Sequence, residues 1–192
     1  MELIEILKYP DPKLRIKAKP LDKDNISADI SFIKNLAYTM YKADGVGLAA
    51  TQVGINKRVI VIDMSRKSNK SKIFSLGESN ILTENEGLVI AVNPEIIFRD
   101  GKTVYEEGCL SIPGFNADIE RAEYIRVKTI NVSGEKVVLE AKDLLAVAFQ
   151  HEIDHLNGTL FIDKVSPLKR SLHNAFLKKA GVAKRGKSPS YI

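Results

Sequence analysis

The stretch from Asp143 to Gly158 constrains this 192-residue chain more than any other. Leu144, Val147 and Ala148 recur at helical spacing and lead into His151 and His155, after which Asn157-Gly158 reads as a helix stop. Residues four apart on an α-helix are offset by about 40° and one turn, so both imidazoles point from one face towards a single ion. Glu152 lies within about 60° of His155 on the same geometry. It can reach a water on that ion without ligating it, which is the place of a general base. The ion should sit beside an apolar pocket, because the apolar stripe leads directly to His151.

Two histidines do not complete a hydrolytic site, which normally holds three protein ligands and one open position. No glutamate follows Glu152, and the residue three beyond Gly158 is Phe161 rather than histidine, so neither familiar downstream protease arrangement fits. Cys109 and His173 are the candidates that remain. His173 belongs to a basic C-terminal segment at a spacing unrelated to the site and reads as a packing or surface residue. Cys109, the chain's single cysteine, sits in the glycine-flanked turn Glu107-Gly108-Cys109-Leu110-Ser111. That turn can approach another element closely. On these grounds alone Cys109 is either a ligand or a small buried hydrophobe.

The remaining punctuation predicts an α+β fold: antiparallel sheets packed around a central metal-binding helix, with a C-terminal helix. Apolar residues from Ile30 to Tyr41 recur at helical spacing, with Ser27 placed to cap and Gly45 to end that helix. Strand-like runs follow at 58–63, 87–92 and 125–132, the last joined through Ser133-Gly134 to 135–140 as a hairpin. Ser166-Pro167 starts a third helix ending near Gly181. The polar stretch from Ser65 to Glu86 reads as a functional or disordered loop. The length and the lack of repeats predict one catalytic domain over 1–192.

Charge is distributed unevenly. The net charge is +5, yet eight Lys/Arg and no acid lie after Asp163, which leaves −3 on the rest of the chain. A basic helix and tail over about 164–192 on a mildly acidic body fit contact with a polyanion. The apolar runs fall short of the roughly 20 residues of a membrane span, and the start lacks the basic region and cleavage site of a secretory signal. With its lone thiol, the chain is expected in a reducing cytoplasm.

Three motifs, in order, resemble those of the peptide deformylase family, which removes the formyl group from the N-terminal methionine of nascent bacterial chains. The family's G-x-G-L-A-A-x-Q is matched by Gly45-Val46-Gly47-Leu48-Ala49-Ala50-Thr51-Gln52, its E-G-C-L-S by Glu107 to Ser111, and its Q-H-E-x-D-H-L by Gln150 to Leu156. The resemblance runs from Pro10-Asp11-Pro12 to Ser166-Pro167-Leu168. It implies that Cys109, His151 and His155 hold the metal, that Glu152 handles protons, and that Gln52 with the Leu110 backbone N–H forms an oxyanion hole. It further implies iron(II) as the metal, replaceable by zinc, nickel or cobalt, and nascent formyl-methionyl polypeptides as substrates. A methionine side chain suits an apolar pocket formed by Val46, Leu144 and Val147, with Gly47 receiving the peptide backbone. The basic tail would then touch ribosomal RNA near the exit of nascent chains; neither DNA nor membrane is an expected partner.

The chain departs from the family pattern at two places. Thr51 stands where proline is usual, which predicts a looser loop around Gln52. An arginine often found after the cysteine motif is replaced by Gly114-Phe115-Asn116, leaving Arg121 as a cation without an assigned place. Asp154 is expected either to orient a ligand or to form a surface ion pair.

Overall fold

Four consecutive β-branched residues, Val59 to Ile62, form a strand buried on both faces, and the rest of the architecture follows from covering it. The computed structural model of the protein describes residues 1–22, 25–65, 74–75 and 87–179. In chain order the elements are α1 (Ile26–Lys42), β1 (Gly47–Ala49), β2 (Val59–Asp63), β3 (Phe74–Ser75), β4 (Leu88–Asp100), β5 (Thr103–Cys109), β6 (Ile112–Arg121), β7 (Tyr124–Ile130), β8 (Lys136–Lys142), α2 (Asp143–Leu156) and α3 (Pro167–Lys179). Short 3-10 turns occupy Pro12–Arg15, Ala50–Val53 and Phe161–Asp163.

Among the described residues two antiparallel sheets result. One has six strands in the order β1-β2-β4-β7-β8-β3, and the other is the β5–β6 hairpin. Side chains alternate across β2, so Ile60 and Ile62 join one core with Phe149 and Ile153 of α2, while Val59 and Val61 join another with Leu36 and Met40 of α1. Each such fully buried side chain contributes about 1.5–3 kcal/mol. A third cluster packs Ile112 and Ile119 of β6 on Leu14, Leu160 and Phe161, which fixes the hairpin against the turn that follows α2. This is the expected α+β arrangement, with α2 central and α3 at the C-terminal end.

Several expected boundaries move for identifiable reasons. Helix α1 is preceded by Asn25, without a side-chain cap, so Ser27 lies inside the helix. Strand β4 does not stop at Val92. It continues through Pro94 by a register shift between Val92 and Glu95 against β7, with Asn93 at φ 51°. A bulge tolerates a residue that lacks an N–H. The Asn93 amide then ties the sheet to the N-terminal segment, exchanging two 2.8 Å hydrogen bonds with the Leu21 backbone. Helix α2 ends at Leu156 as expected, and Gly158 adopts φ 73°. A Cβ at Gly158 would run into the Arg15 backbone, so only glycine fits there.

Helix α3 is amphipathic in the reverse sense. Among its described side chains His173 is the buried one, while Leu168, Leu172 and Phe176, at four-residue spacing, are 69%, 63% and 57% exposed. Among the described residues no helix is long and apolar enough to cross a membrane. Apart from Ser65, Phe74 and Ser75, the expected loop from Ser65 to Glu86 lies outside the described residues, as does the basic tail beyond Lys179.

Candidate metal centre

Helix α2 and the β5–β6 hairpin converge on one cluster. His151 and His155 come from successive turns of α2, and Cys109 ends β5, paired with Ile112 across the two-residue turn Leu110-Ser111. Among the described residues these three form the one group of ligand atoms suited to a metal ion, all within 4.8 Å of one another. Cys109 Sγ lies 3.1 Å from His155 Nε2, which lies 3.2 Å from His151 Nε2. Bond lengths of about 2.0–2.3 Å place tetrahedral ligands roughly 3.5 Å apart, so a thiolate and two imidazoles so arranged fit a transition-metal ion. His173 is not part of the cluster; it packs with its ring centroid 4.4 Å from that of Phe115.

The histidines are prepared for this role by different surroundings. His151 Nδ1 meets Glu107 Oε2 at 2.8 Å, which directs Nε2 towards the cluster. Arg121 grips the same carboxylate twice, with Nε to Oε1 at 2.7 Å and Nη2 to Oε2 at 2.9 Å, and its remaining amine pairs with Asp154. Lys164 reaches Asp154 from the surface side at 3.3 Å. The unassigned cation of the sequence thus belongs to a buried network behind His151, and Asp154 acts on that network instead of touching a ligand. Burial alone would lower the His151 pKa, but its contacts with Cys109 and Glu107 outweigh burial and raise it well above the usual histidine range. Glu107 is held below the carboxylate range because Arg121 and His151 outweigh its own desolvation. His155 is pushed well down by burial and by the positive charge of His151 and Arg121, which leaves its ring neutral.

Glu152 is only 4% exposed, and its Oε2 has no hydrogen-bond partner among the described residues. Burial raises its pKa to about 7, with the charge of His151 opposing that shift. A carboxyl in that range can both take and give a proton near neutrality.

Gln52 approaches from the 3-10 turn after β1. Its Oε1 accepts the Ala49 N–H at 2.8 Å, which turns Nε2 towards Cys109 Sγ at 3.5 Å and Ser111 Oγ at 3.2 Å. The neighbouring Thr51 corrects the expectation of a looser loop: it is buried, and its hydroxyl donates to the His155 carbonyl at 3.1 Å. Lys8 Nζ holds the Leu110 carbonyl at 2.6 Å and so fixes the hairpin turn.

A cleft of about 430 Å³ opens onto this cluster. Gln52, Cys109, Leu110, His151 and Glu152 line it, together with Val46, Gly47, Leu144 and Val147. His155 lies behind them, 1% exposed. Ala148, read from the sequence as part of the α2 stripe, lines the cleft too, and Met64 and Asn116 line it without having been foreseen. Met64 and Asn116 are brought in by the sheet and the hairpin, for which the sequence carries no local signal.

A Cys-His-His cluster with an adjacent buried carboxyl at the end of an apolar cleft defines a metal-dependent hydrolase. The sequence profile of the polypeptide deformylase family matches residues 3–171. The peptide deformylase of Stenotrophomonas maltophilia is 44% identical over 90% of this chain and 92% of its own, and that of Halothermothrix orenii is 47% identical over 86% and 95%. Among solved structures, the Legionella pneumophila peptide deformylase superposes with a TM-score of 0.77 at 36% identity, covering 98% of this chain and all of that one. A Synechococcus elongatus peptide deformylase in complex with actinonin gives 0.74 at 36% identity, over 97% and 92%. The chain belongs to the polypeptide deformylase family, and its activity is the metal-dependent hydrolysis that removes the N-terminal formyl group from formyl-methionyl polypeptides.

Proposed function

We propose that Cys109, His151 and His155 hold one iron(II) ion, that Glu152 carries the proton, and that Gln52 and the Leu110 N–H bind the oxyanion. The observation that carries this reading is the meeting of one Sγ and two Nε2 atoms beside a buried carboxyl at the end of the cleft. A thiolate and two imidazoles suit iron(II), and zinc, nickel or cobalt can take the same ligands. Bound there, the ion supplies Lewis acidity, which acidifies a water and polarises a carbonyl.

Glu152 takes a proton from the attacking water as the water oxygen bonds to the formyl carbon. The developing oxyanion accepts from Gln52 Nε2, which the Ala49 contact already aims, and from the Leu110 N–H at the turn braced by Lys8. Glu152 then passes its proton to the amine nitrogen as the C–N bond breaks, leaving formate and a free N-terminal methionine. Val46, Leu144 and Val147 line an apolar wall suited to the methionine side chain, and β1 is an edge strand able to receive an extended peptide at Gly47. Gln52→Ala should lower kcat about 10²–10³-fold with little change in KM. An unchanged kcat would remove Gln52 from the mechanism.

The reading extends to where the enzyme works: the cytoplasm of a bacterium, in contact with the ribosome through the basic segment after Asp163. Lys169 and Lys179 are exposed beside the apolar stripe Leu168, Leu172 and Phe176, so α3 offers both cations for rRNA phosphate and apolar side chains. Lys169→Glu with Lys179→Glu should weaken cosedimentation with ribosomes and leave formate release from short peptides unchanged. Undiminished cosedimentation contradicts the contact.

A further inference from the structure

Gly47 lies at the start of edge strand β1, buried and directly beneath the side chain of Glu152. A Cβ built on Gly47 would strike Glu152 Oε1 and would stand 2.9 Å from its Cδ and 3.0 Å from its Cγ. All three close contacts belong to that one side chain, so the carboxyl end of Glu152 occupies the volume that any other residue would fill at 47. Gly47 pairs with Ile62 as an ordinary antiparallel residue, and its φ lies outside the left-handed region. Backbone conformation therefore gives no reason for glycine here; space does. Glu152 is 4% exposed on a helix packed into the main core, so the room left to its carboxyl is the cleft that it lines, away from the seat it holds over Gly47.

We propose that Gly47 is a positioning residue for Glu152: the missing side chain at the end of β1 seats the carboxyl beside Cys109, His151 and His155. The proposal rests on the reading of Glu152 as the proton carrier. It assigns Gly47 a role distinct from receiving the peptide backbone, since the atoms that exclude a side chain at 47 are the enzyme's own. A displacement of about 1 Å at a reacting group is enough to cost about a hundredfold in rate.

The test is a double-variant cycle on the metal-loaded, full-length enzyme. Gly47→Ala should lower kcat about a hundredfold with KM within about twofold and the metal content unchanged. It should also lower Tm by about 5 °C, the scale of one overpacked methyl in a chain of this size. Made in a Glu152→Ala background, the same substitution should lower Tm by less than about 1 °C, because the clashing atoms are gone. Gly45→Ala serves as the control: its Cβ would press on the flexible end of Leu110, at 2.7 Å, with the Met40 and Gly47 carbonyl oxygens at 3.4 and 3.5 Å and no Glu152 atom among these neighbours, so its effect on Tm should be the same in both backgrounds. If Gly47→Ala alone does not fold while the double variant does, the proposal stands. An equal Tm loss at position 47 in both backgrounds, failure of both to fold, or a raised KM with unchanged kcat would overturn it. Near wild-type turnover by Glu152→Ala would instead remove the proton-carrier reading, while the Tm cycle would still report on the packing.

Discussion

Helix α2 and the β5–β6 hairpin supply the Cys-His-His cluster in opposite ways. The helix provides His151, Glu152 and His155 from within five residues, and its geometry alone decides that they face one point. The hairpin provides Cys109 together with Glu107 and Arg121, whose side chains meet only because two strands pair in one register. Local periodicity can place ligands, but the orientation and charge of a ligand come from a partner distant in sequence. The hairpin is therefore where variants should alter the site without touching the atoms that bind or react.

The largest such effect should come from Arg121→Met, which leaves the Glu107 carboxylate buried without its main partner. Removing one member of a buried ion pair costs about 3–5 kcal/mol, readable as a lowered urea midpoint. A loss below about 1 kcal/mol, the level of an exposed pair, would mean that the network behind His151 carries no stability. Glu107→Gln should be milder. It keeps an oxygen for His151 Nδ1 but removes the charge, and metal affinity should fall about 10–100-fold in a chelator competition. Unchanged affinity would show that the helix histidines need no help from the hairpin. Thr51→Val removes a single buried hydroxyl bonded to the His155 carbonyl and should cost about 1 kcal/mol, with Thr51→Ser restoring most of it. Equal losses in both would assign the effect to packing.

The smallest effect lies outside both regions. Arg15 forks onto Asp163 at the turn after α2, and its hydrogen bond outweighs the carboxyl's partial burial to lower the Asp163 pKa. A lowered carboxylate pKa stabilises the fold above the unfolded value and loses that contribution as pH falls through the folded one. This pair is partly exposed, so Arg15→Ala should cost under about 1 kcal/mol at pH 7. The gap between variant and wild type should close below about pH 4, the usual aspartate range. A gap that persists at pH 2 would point to packing of the Arg15 stem.

The difference between the two regions also decides what was legible beforehand. Helix α2 could be read to within a residue of its ends, because its period and its Asn157-Gly158 stop are local signals. Strands β5 and β6 were not foreseen as strands. β5 buries little beyond Glu107, and Gly108 and Pro113-Gly114 interrupt the pattern that would mark a hairpin. From the residues alone Cys109 was the better of two candidates but stood between ligand and packing residue; resemblance to a family decided for the ligand, and its sulfur lies 3.1 Å from His155 Nε2. Arg121 could not be assigned because its partner lies across the hairpin. The looser loop expected at Thr51 was wrong for a similar reason: losing proline's fixed φ is a local effect, whereas the hydroxyl bond to His155 spans 104 residues.

The account depends most on Cys109 completing the site that the helix begins. The direct measurement is metal content of anaerobically purified protein, taken together with formate release from formyl-Met-Ala, for the wild type and Cys109→Ala. One iron per chain and rapid formate release in the wild type, with both lost in the variant, is the predicted result. Full metal occupancy and undiminished formate release in Cys109→Ala would contradict it.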